Sequence, residues 1–452
     1  MGWPDGYIGN GSTGTDVAEA EQIRLAMAET RVLVEPLKLM ERIASSVNLN
    51  QAFRQVKRNK GSHGVDGKSI AETEIYLKEG DRAKTLRQQL LSGQYRPSAI
   101  RGVQIPKSDG GLRQLGIPTV IDRMIQQAIA QELSRIYEPK FSDSSFGFRA
   151  GRSAHGALKQ AQGYVASGRH YVVDMDLEKY FDTVNHDRLM ARLSKDIRDK
   201  RVLKLIRRYL QAGLMQNGIT AKRQEGTPQG GPLSPLLANI VLDELDKELE
   251  RRGHRFCRYA DDCNIYVKSQ TAGERVLASV TYFLEKKLKL KVNRNKSAAA
   301  QVKERQFLGY RLQNGGRLTV APKSRKRFRQ KVRQLTKRNR GVSLEKVIDQ
   351  LNQYLRGWQQ YFRLAKNKSW LADMDSWIRR RLRCYRLKQR KRRYSIAKWL
   401  QTLGIAEQHA WQLAMSSKGL WNNSRNPVIN HALPNDWFKN KGLYFLSEKY
   451  VD

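Results

Sequence analysis

Tyr259-Ala260-Asp261-Asp262 sets two adjacent carboxylates between two short runs, His254 to Arg258 and Cys263 to Val267, that alternate and carry β-branched and aromatic residues. The pattern predicts a hairpin with the acids at its tip. Neighbouring carboxylates repel, so one of them should be hard to ionise without a cation. Mg²⁺, which prefers carboxylate oxygens, removes that penalty. Alone, an Asp-Asp on a turn reads as a polar turn. A third acid changes the reading. Tyr171-Val172-Val173-Asp174-Met175-Asp176 is an apolar strand ending in acid, followed by Leu177-Glu178-Lys179-Tyr180-Phe181-Asp182. Three carboxylates from two strand ends can hold two metal ions ~3.5–4 Å apart, the clamp for in-line phosphoryl displacement.

The stretch between those strands must position the acids. Gly226-Thr227-Pro228-Gln229-Gly230-Gly231-Pro232-Leu233-Ser234-Pro235 precedes an apolar helical stretch from Leu236 to Leu249. So much Gly and Pro suggests backbone passing close to a ligand at a helix start. Upstream, strands flanking Ser108-Asp109-Gly110-Gly111 read as a second hairpin, which would bring Lys107 and Arg113 together across its turn. Two cations on a β-ribbon suit a triphosphate, one as a point charge and one as a planar fork. Ordinary solvated charges on an exposed hairpin are the plainer reading.

The order Asp-x-x-x-x-Phe, Pro-Gln-Gly, Tyr-Ala-Asp-Asp resembles reverse transcriptases. The Thr-Pro-Gln-Gly-Gly-Pro-Leu-Ser-Pro-Leu-Leu-Ala-Asn block is similar to those encoded by bacterial group II introns. The resemblance implies an α+β right hand: fingers and an antiparallel palm over residues 36–317, a helical thumb or X domain over 318–394, and a small DNA-binding region over 395–452. It implies that Asp176, Asp261 and Asp262, with Leu177, hold two Mg²⁺, for which Mn²⁺ can substitute. Lys107, Arg113, Leu177 and Gln229 would meet the incoming dNTP, and Arg101 and Ile117 would pack near the templating base. Lys296 matches a lysine proposed to protonate the leaving pyrophosphate; without the resemblance it reads as a solvated surface lysine. Phe181 would stack under the sugar and reject a 2′-OH by bulk, and Tyr180 remains a second candidate. The partners implied are group II intron RNA, an RNA template–DNA primer duplex and target DNA. A splicing cofactor with vestigial polymerase activity, an RNA-dependent RNA polymerase, and a related enzyme serving repair or phage defence are the alternatives.

Composition fits a nucleic-acid partner. The 452 residues carry 84 Lys and Arg against 43 Asp and Glu, a net +41 that self-repels without a polyanion. No apolar run approaches the ~18 residues of a membrane span, and no secretory signal opens the chain. Cys257, Cys263 and Cys384 form neither a disulfide framework nor a zinc ribbon. A cytoplasmic protein, nucleoid-associated on its target DNA, is expected.

Along the chain, residues 1–35 read as a leader, and Gly61 to Gly67 as a turn-rich loop matching the fingertip extension of the family. Asp122 to Tyr137 is a periodic helix. Arg149 and Arg152, in a loop opening a helix, suit a phosphate contact, and Phe146 and Phe148 suit packing in the fingers; both readings can hold. From Lys323 to Tyr394 stand 25 Lys and Arg against four Asp and Glu. There Val347, Leu351, Tyr354, Leu355, Trp358, Tyr361 and Phe362 form an apolar stripe, and Arg379 to Arg393 is the densest basic run, expected to face RNA. Beyond it His409 and His431 are isolated and Cys is absent, which resembles the compact family form without an endonuclease.

Overall fold

The computed structural model describes residues 38–106, 111–216, 219–221, 225–226 and 230–448. Lys107, Gln229 and the leader lie outside the described residues, as does the side chain of Arg113. The strands, in chain order, are β1 (Ile100–Pro106), β2 (Leu112–Ile117), β3 (Tyr171–Met175), β4 (Leu214–Gln216), β5 (Ile219–Ala221), β6 (Arg255–Tyr259), β7 (Asp262–Val267), β8 (Ala298–Gln301), β9 (Tyr310–Leu312) and β10 (Leu318–Val320). They form a fingers sheet ordered β2-β1-β4-β5, a palm sheet ordered β6-β7-β3-β8, and the pair β10-β9. Every pairing in the palm is antiparallel.

Alternation along two central strands builds the palm. On β3, Val173 and Met175 enter the fingers–palm core, and on β7 Cys263, Ile265 and Val267 join them. Successive strand residues face opposite sides, so Val172 and Tyr266 enter a second core on the other face. Asp174 shares Val172's face and, across the ladder, stands opposite Asn264. The first face is covered by the helices Val120–Tyr137, Ser234–Arg251 and Gln270–Tyr282, whose apolar residues belong to the same core. The second face meets the Ala154–Ala166 helix, β9–β10 and the thumb.

The thumb comprises the helices Pro322–Leu335, Leu344–Phe362 and Lys368–Arg390. Val347, Leu351, Leu355 and Trp358 of the stripe are buried, whereas Tyr361 is exposed. Short helices from Arg393–Gln401 to Asn435–Asn440 follow, and their Leu400, Leu433 and Phe438 enter the same core as Leu382 and Tyr385. Residues on both sides of position 394 therefore share one core. Asp375 ties this region down by accepting from the backbone N–H of Leu446 (2.9 Å) and Ser447 (2.8 Å).

Several arginines of the basic run on the last long helix also pack within the protein, while Lys388, Lys391, Arg392 and Arg393 are exposed. Arg380 lies 3.9 Å above the Trp421 ring, Arg390 4.9 Å above Trp399, and Arg379 5.3 Å above Phe445. Arg383 is buried, stacks on Phe438 and donates to the Leu433 carbonyl. A guanidinium is weakly hydrated and stacks readily, so these cations join the C-terminal helices to the thumb. No helix among the described residues is long and apolar enough to cross a membrane.

Candidate active site

The β6–β7 register pairs Tyr259 with Asp262, leaving Ala260-Asp261 as a two-residue turn. Such hairpin turns require positive φ, and Ala260 adopts φ 60°. An alanine rarely takes that conformation unaided. Two contacts hold it. The Gly147 backbone lies so close that a Cβ there would fall 2.2 Å from the Ala260 nitrogen. Arg258, wholly buried, donates to the Ala260 carbonyl (2.9 Å), to Asn239 (2.9 Å), to Ser145 Oγ (2.7 Å) and to both carboxylate oxygens of Asp246. One guanidinium thus joins the acidic turn to the helix after the Pro-Gln-Gly loop and to the 142–147 segment.

Asp176 follows β3 directly. Its N–H donates to Ser297 Oγ (3.0 Å), and its carbonyl accepts from the Asn293 N–H (2.8 Å). The 293–297 loop is thereby seated on it, and Lys296 Nζ comes to 3.1 Å from Asp176 Oδ2. A cleft of about 600 Å³ is lined by Asp174, Asp176, Asp261, Asp262, Lys296 and Arg305, among others. Burial, then the charges of Asp174, Asp261 and Asp176, push the Asp262 carboxyl well above the usual carboxylate range.

A divalent cation fits this donor set of hard carboxylate oxygens, of which Asp262 is held hard to ionise by burial and its acidic neighbours. Mg²⁺ commonly uses one or two carboxylates plus substrate phosphates rather than an all-protein cage. Among the described residues, no group of three acidic, His or Cys side chains closes into a cage. The Leu177 side chain is buried in the core and carries no donor atom, so its only offer to a cation is the main-chain carbonyl.

A second cleft, of about 500 Å³, is lined by Phe181, Phe148, Leu115, Arg123, Gly230 and Gly231 among others. Tyr180 and Phe181 part company here. The Tyr180 ring is 2% exposed and its hydroxyl donates to the Ala238 carbonyl (2.7 Å), whereas Phe181 faces the cleft. Gly230, at φ 131°, passes so near β2 that a Cβ would lie 2.3 Å from the Gly116 carbonyl oxygen. Only glycine allows that approach. In the fingers hairpin Arg101 stands opposite Ile117, and Arg113 opposite Ile105. The Gly61–Gly67 loop packs onto this hairpin and the helix after it: Arg101 Nη1 is 3.3 Å from His63 Nε2, and Arg123 donates to the Ser62 carbonyl (2.7 Å).

Arg149 turns inward to Glu138 and to the carbonyls of Ser142 and Ser145, which removes it as a phosphate contact. Sequence reasoning passed over Asp174, Arg305 and Arg258, and read Phe148 as packing in the fingers rather than as a cleft residue. Asp174 could have been found, because it stands only two residues before Asp176.

An acid-tipped antiparallel palm with a thumb against its other face defines a template-directed nucleotidyltransferase of the polymerase class. Residues 105–312 match the reverse transcriptase (RNA-dependent DNA polymerase) family, and residues 325–402 match the group II intron maturase-specific domain. Protein YkfC of Escherichia coli is 33% identical over 66% of this chain and 88% of its own length. Group II intron-encoded protein LtrA of Lactococcus lactis is 39% identical over 43% of this chain and 32% of its own length. A solved Cas6-RT-Cas1–Cas2 complex aligns with 55% of this chain and 42% of that chain at 24% identity and TM-score 0.35. The chain belongs to the group II intron reverse transcriptase/maturase family, and it is an RNA-directed DNA polymerase with a maturase domain.

Proposed function

We propose that this protein binds structured intron RNA, assists its splicing, and copies RNA into DNA at a DNA target, acting in the cytoplasm and at the nucleoid. The observation that carries the polymerase site is the meeting of Asp176, Asp261 and Asp262 in one cleft between palm and thumb. Those carboxylates, with the Leu177 carbonyl, would hold Mg²⁺, or Mn²⁺ in its place. Bound there, the divalent ions would lower the pKa of the primer 3′-OH and offset charge on the leaving pyrophosphate. Arg113 and Lys107 hold the triphosphate of the incoming dNTP, Arg101 and Ile117 support the templating base, and Gln229 flanks the nascent pair. Phe181 excludes a 2′-OH. Lys296, on the loop seated against Asp176, delivers a proton to the leaving pyrophosphate.

Asp176→Asn and Asp261→Asn test this. Each should abolish divalent-dependent primer extension on RNA templates while leaving intron RNA affinity close to wild type. Extension above a few per cent of wild type (about 2 kcal/mol of lost transition-state stabilisation) in either variant would refute the site.

A further inference from the structure

The catalytic cleft is lined by two carboxylates that the proposed chemistry does not use, Glu304 and Asp174, and Asp174 is the one held by an arginine. Asp174, on β3, lies two residues before Asp176 and lines the same cleft, with its side chain 16% exposed. Arg305, which also lines the cleft, closes on it: Nε and Nη2 both donate to Asp174 Oδ2, at 2.9 and 2.6 Å. The same Nη2 donates to the carbonyl of Lys296, so the guanidinium is fixed from two sides. Arg305 sits two residues before Phe307, where the chain leaves β8 for β9. The other cations lining the cleft are Lys296, whose Nζ meets Asp176, and Lys323, at the start of the Pro322–Leu335 helix.

The chemistry makes the pair consequential. A divalent ion in a polymerase site must keep coordination positions open for substrate phosphates. Were the Asp174 carboxylate released into the cleft, it would compete for those positions and draw cations off their working place. An arginine bound to both a carboxylate and a backbone carbonyl withholds it, without a step of its own in the reaction.

We propose that Arg305 is a positioning residue that keeps Asp174 out of cation binding, leaving that role to Asp176, Asp261 and Asp262. This rests on the reading of those three acids as the cation ligands. Its failure is separable from that reading, because Asp176→Asn tests the ligands directly.

The test compares Arg305→Gln, Asp174→Asn and the double variant in the full-length protein. Single-nucleotide extension is followed on a pre-annealed RNA template–DNA primer over a Mg²⁺ series, and the Mg²⁺-induced melting shift is measured without nucleic acid. Arg305→Gln should lower kcat by about tenfold, with primer–template affinity unchanged and a larger Mg²⁺-induced melting shift. Removing the freed carboxylate as well should restore most of that loss, the coupling expected of two residues acting as a unit. Asp174→Asn alone should keep the wild-type melting shift, because the carboxylate it removes binds no cation. A wild-type kcat for Arg305→Gln, or a double variant as slow as the single, overturns the proposal. So does a smaller melting shift for Asp174→Asn, which would make Asp174 a working ligand. If Arg305→Gln fails to fold, the Asp174→Asn melting shift and the double variant's kcat still decide.

Discussion

Tyr180 and Phe181 are one residue apart and have opposite surroundings, which separates their variants. Phe181→Val should open room beneath the sugar and lower the dNTP-to-rNTP efficiency ratio by on the order of tenfold, with little change in melting temperature. Tyr180→Val should leave the ratio alone and destabilise the palm by about 2–4 kcal/mol, because it empties a buried site and removes the hydroxyl's bond to the Ala238 carbonyl. A ratio that collapses for Tyr180→Val instead would exchange the two roles. Arg258 belongs to the same scale. Arg258→Met would leave the Asp246 carboxylate buried without its partner, a cost of about 3–5 kcal/mol, and would release the Ala260 carbonyl. Chemical denaturation should register the first effect. Loss of extension at temperatures where the variant is still folded should register the second.

Among the elements, the acidic hairpin is positioned by what packs beneath it. Gly147→Ala would drive a Cβ into the Ala260 nitrogen, and backbone on both sides leaves neither partner room to yield. Extension kcat should fall by at least about tenfold, since misplacing reacting groups by an ångström is costly, while primer–template affinity stays near wild type. Equal losses in kcat and affinity would mean the segment acts on binding rather than on the turn. The hairpin itself was legible in the sequence, because period-two alternation and a two-residue turn are local signals, and so was the helix ending at Tyr137. Its support was not. Arg258 reads as one more cation in a basic chain, and its burial depends on Ser145, 113 residues away, and on Asn239 and Asp246 arriving from another helix. For the same reason Phe181 and Tyr180 stayed undecided: neighbours on a short turn exchange faces with a small rotation. The arginines of the Lys368–Arg390 helix looked like a solvated face because the aromatic rings that cover them lie up to 66 residues further along, as with Phe445 over Arg379.

In the thumb, the basic residues include cations that join the C-terminal helices to it and cations that face solvent. Lys326, Arg329 and Lys331 are exposed on the Pro322–Leu335 helix. Neutralising all three should weaken intron RNA binding and flatten its salt dependence by roughly 0.7–0.9 for each phosphate no longer neutralised, with melting unchanged. Neutralising Arg379, Arg380 and Arg390 should lower the melting temperature first, since each of those stacks on a ring. A titration against salt beside a thermal melt separates the two classes, and an unchanged melt for the second set would mean the stacking carries no weight.

The seam between the Lys368–Arg390 helix and residues 433–447 also sets an order of events at the ribosome. Asp375, Asn352 and Arg383 take their partners from Leu446 and Ser447, Gly442 and Tyr444, and Leu433. While those partners are still being synthesised, the basic helices have emerged with their apolar stripes uncovered and their arginines unstacked. A nascent chain at that stage is a polycation whose C-terminal core is still open, and that core is completed only when the seam closes. Synthesis that stalls between Tyr394 and Leu433 should therefore give a product that clings to RNA of any sequence and is cleared by proteases, whereas one released after Ser447 discriminates.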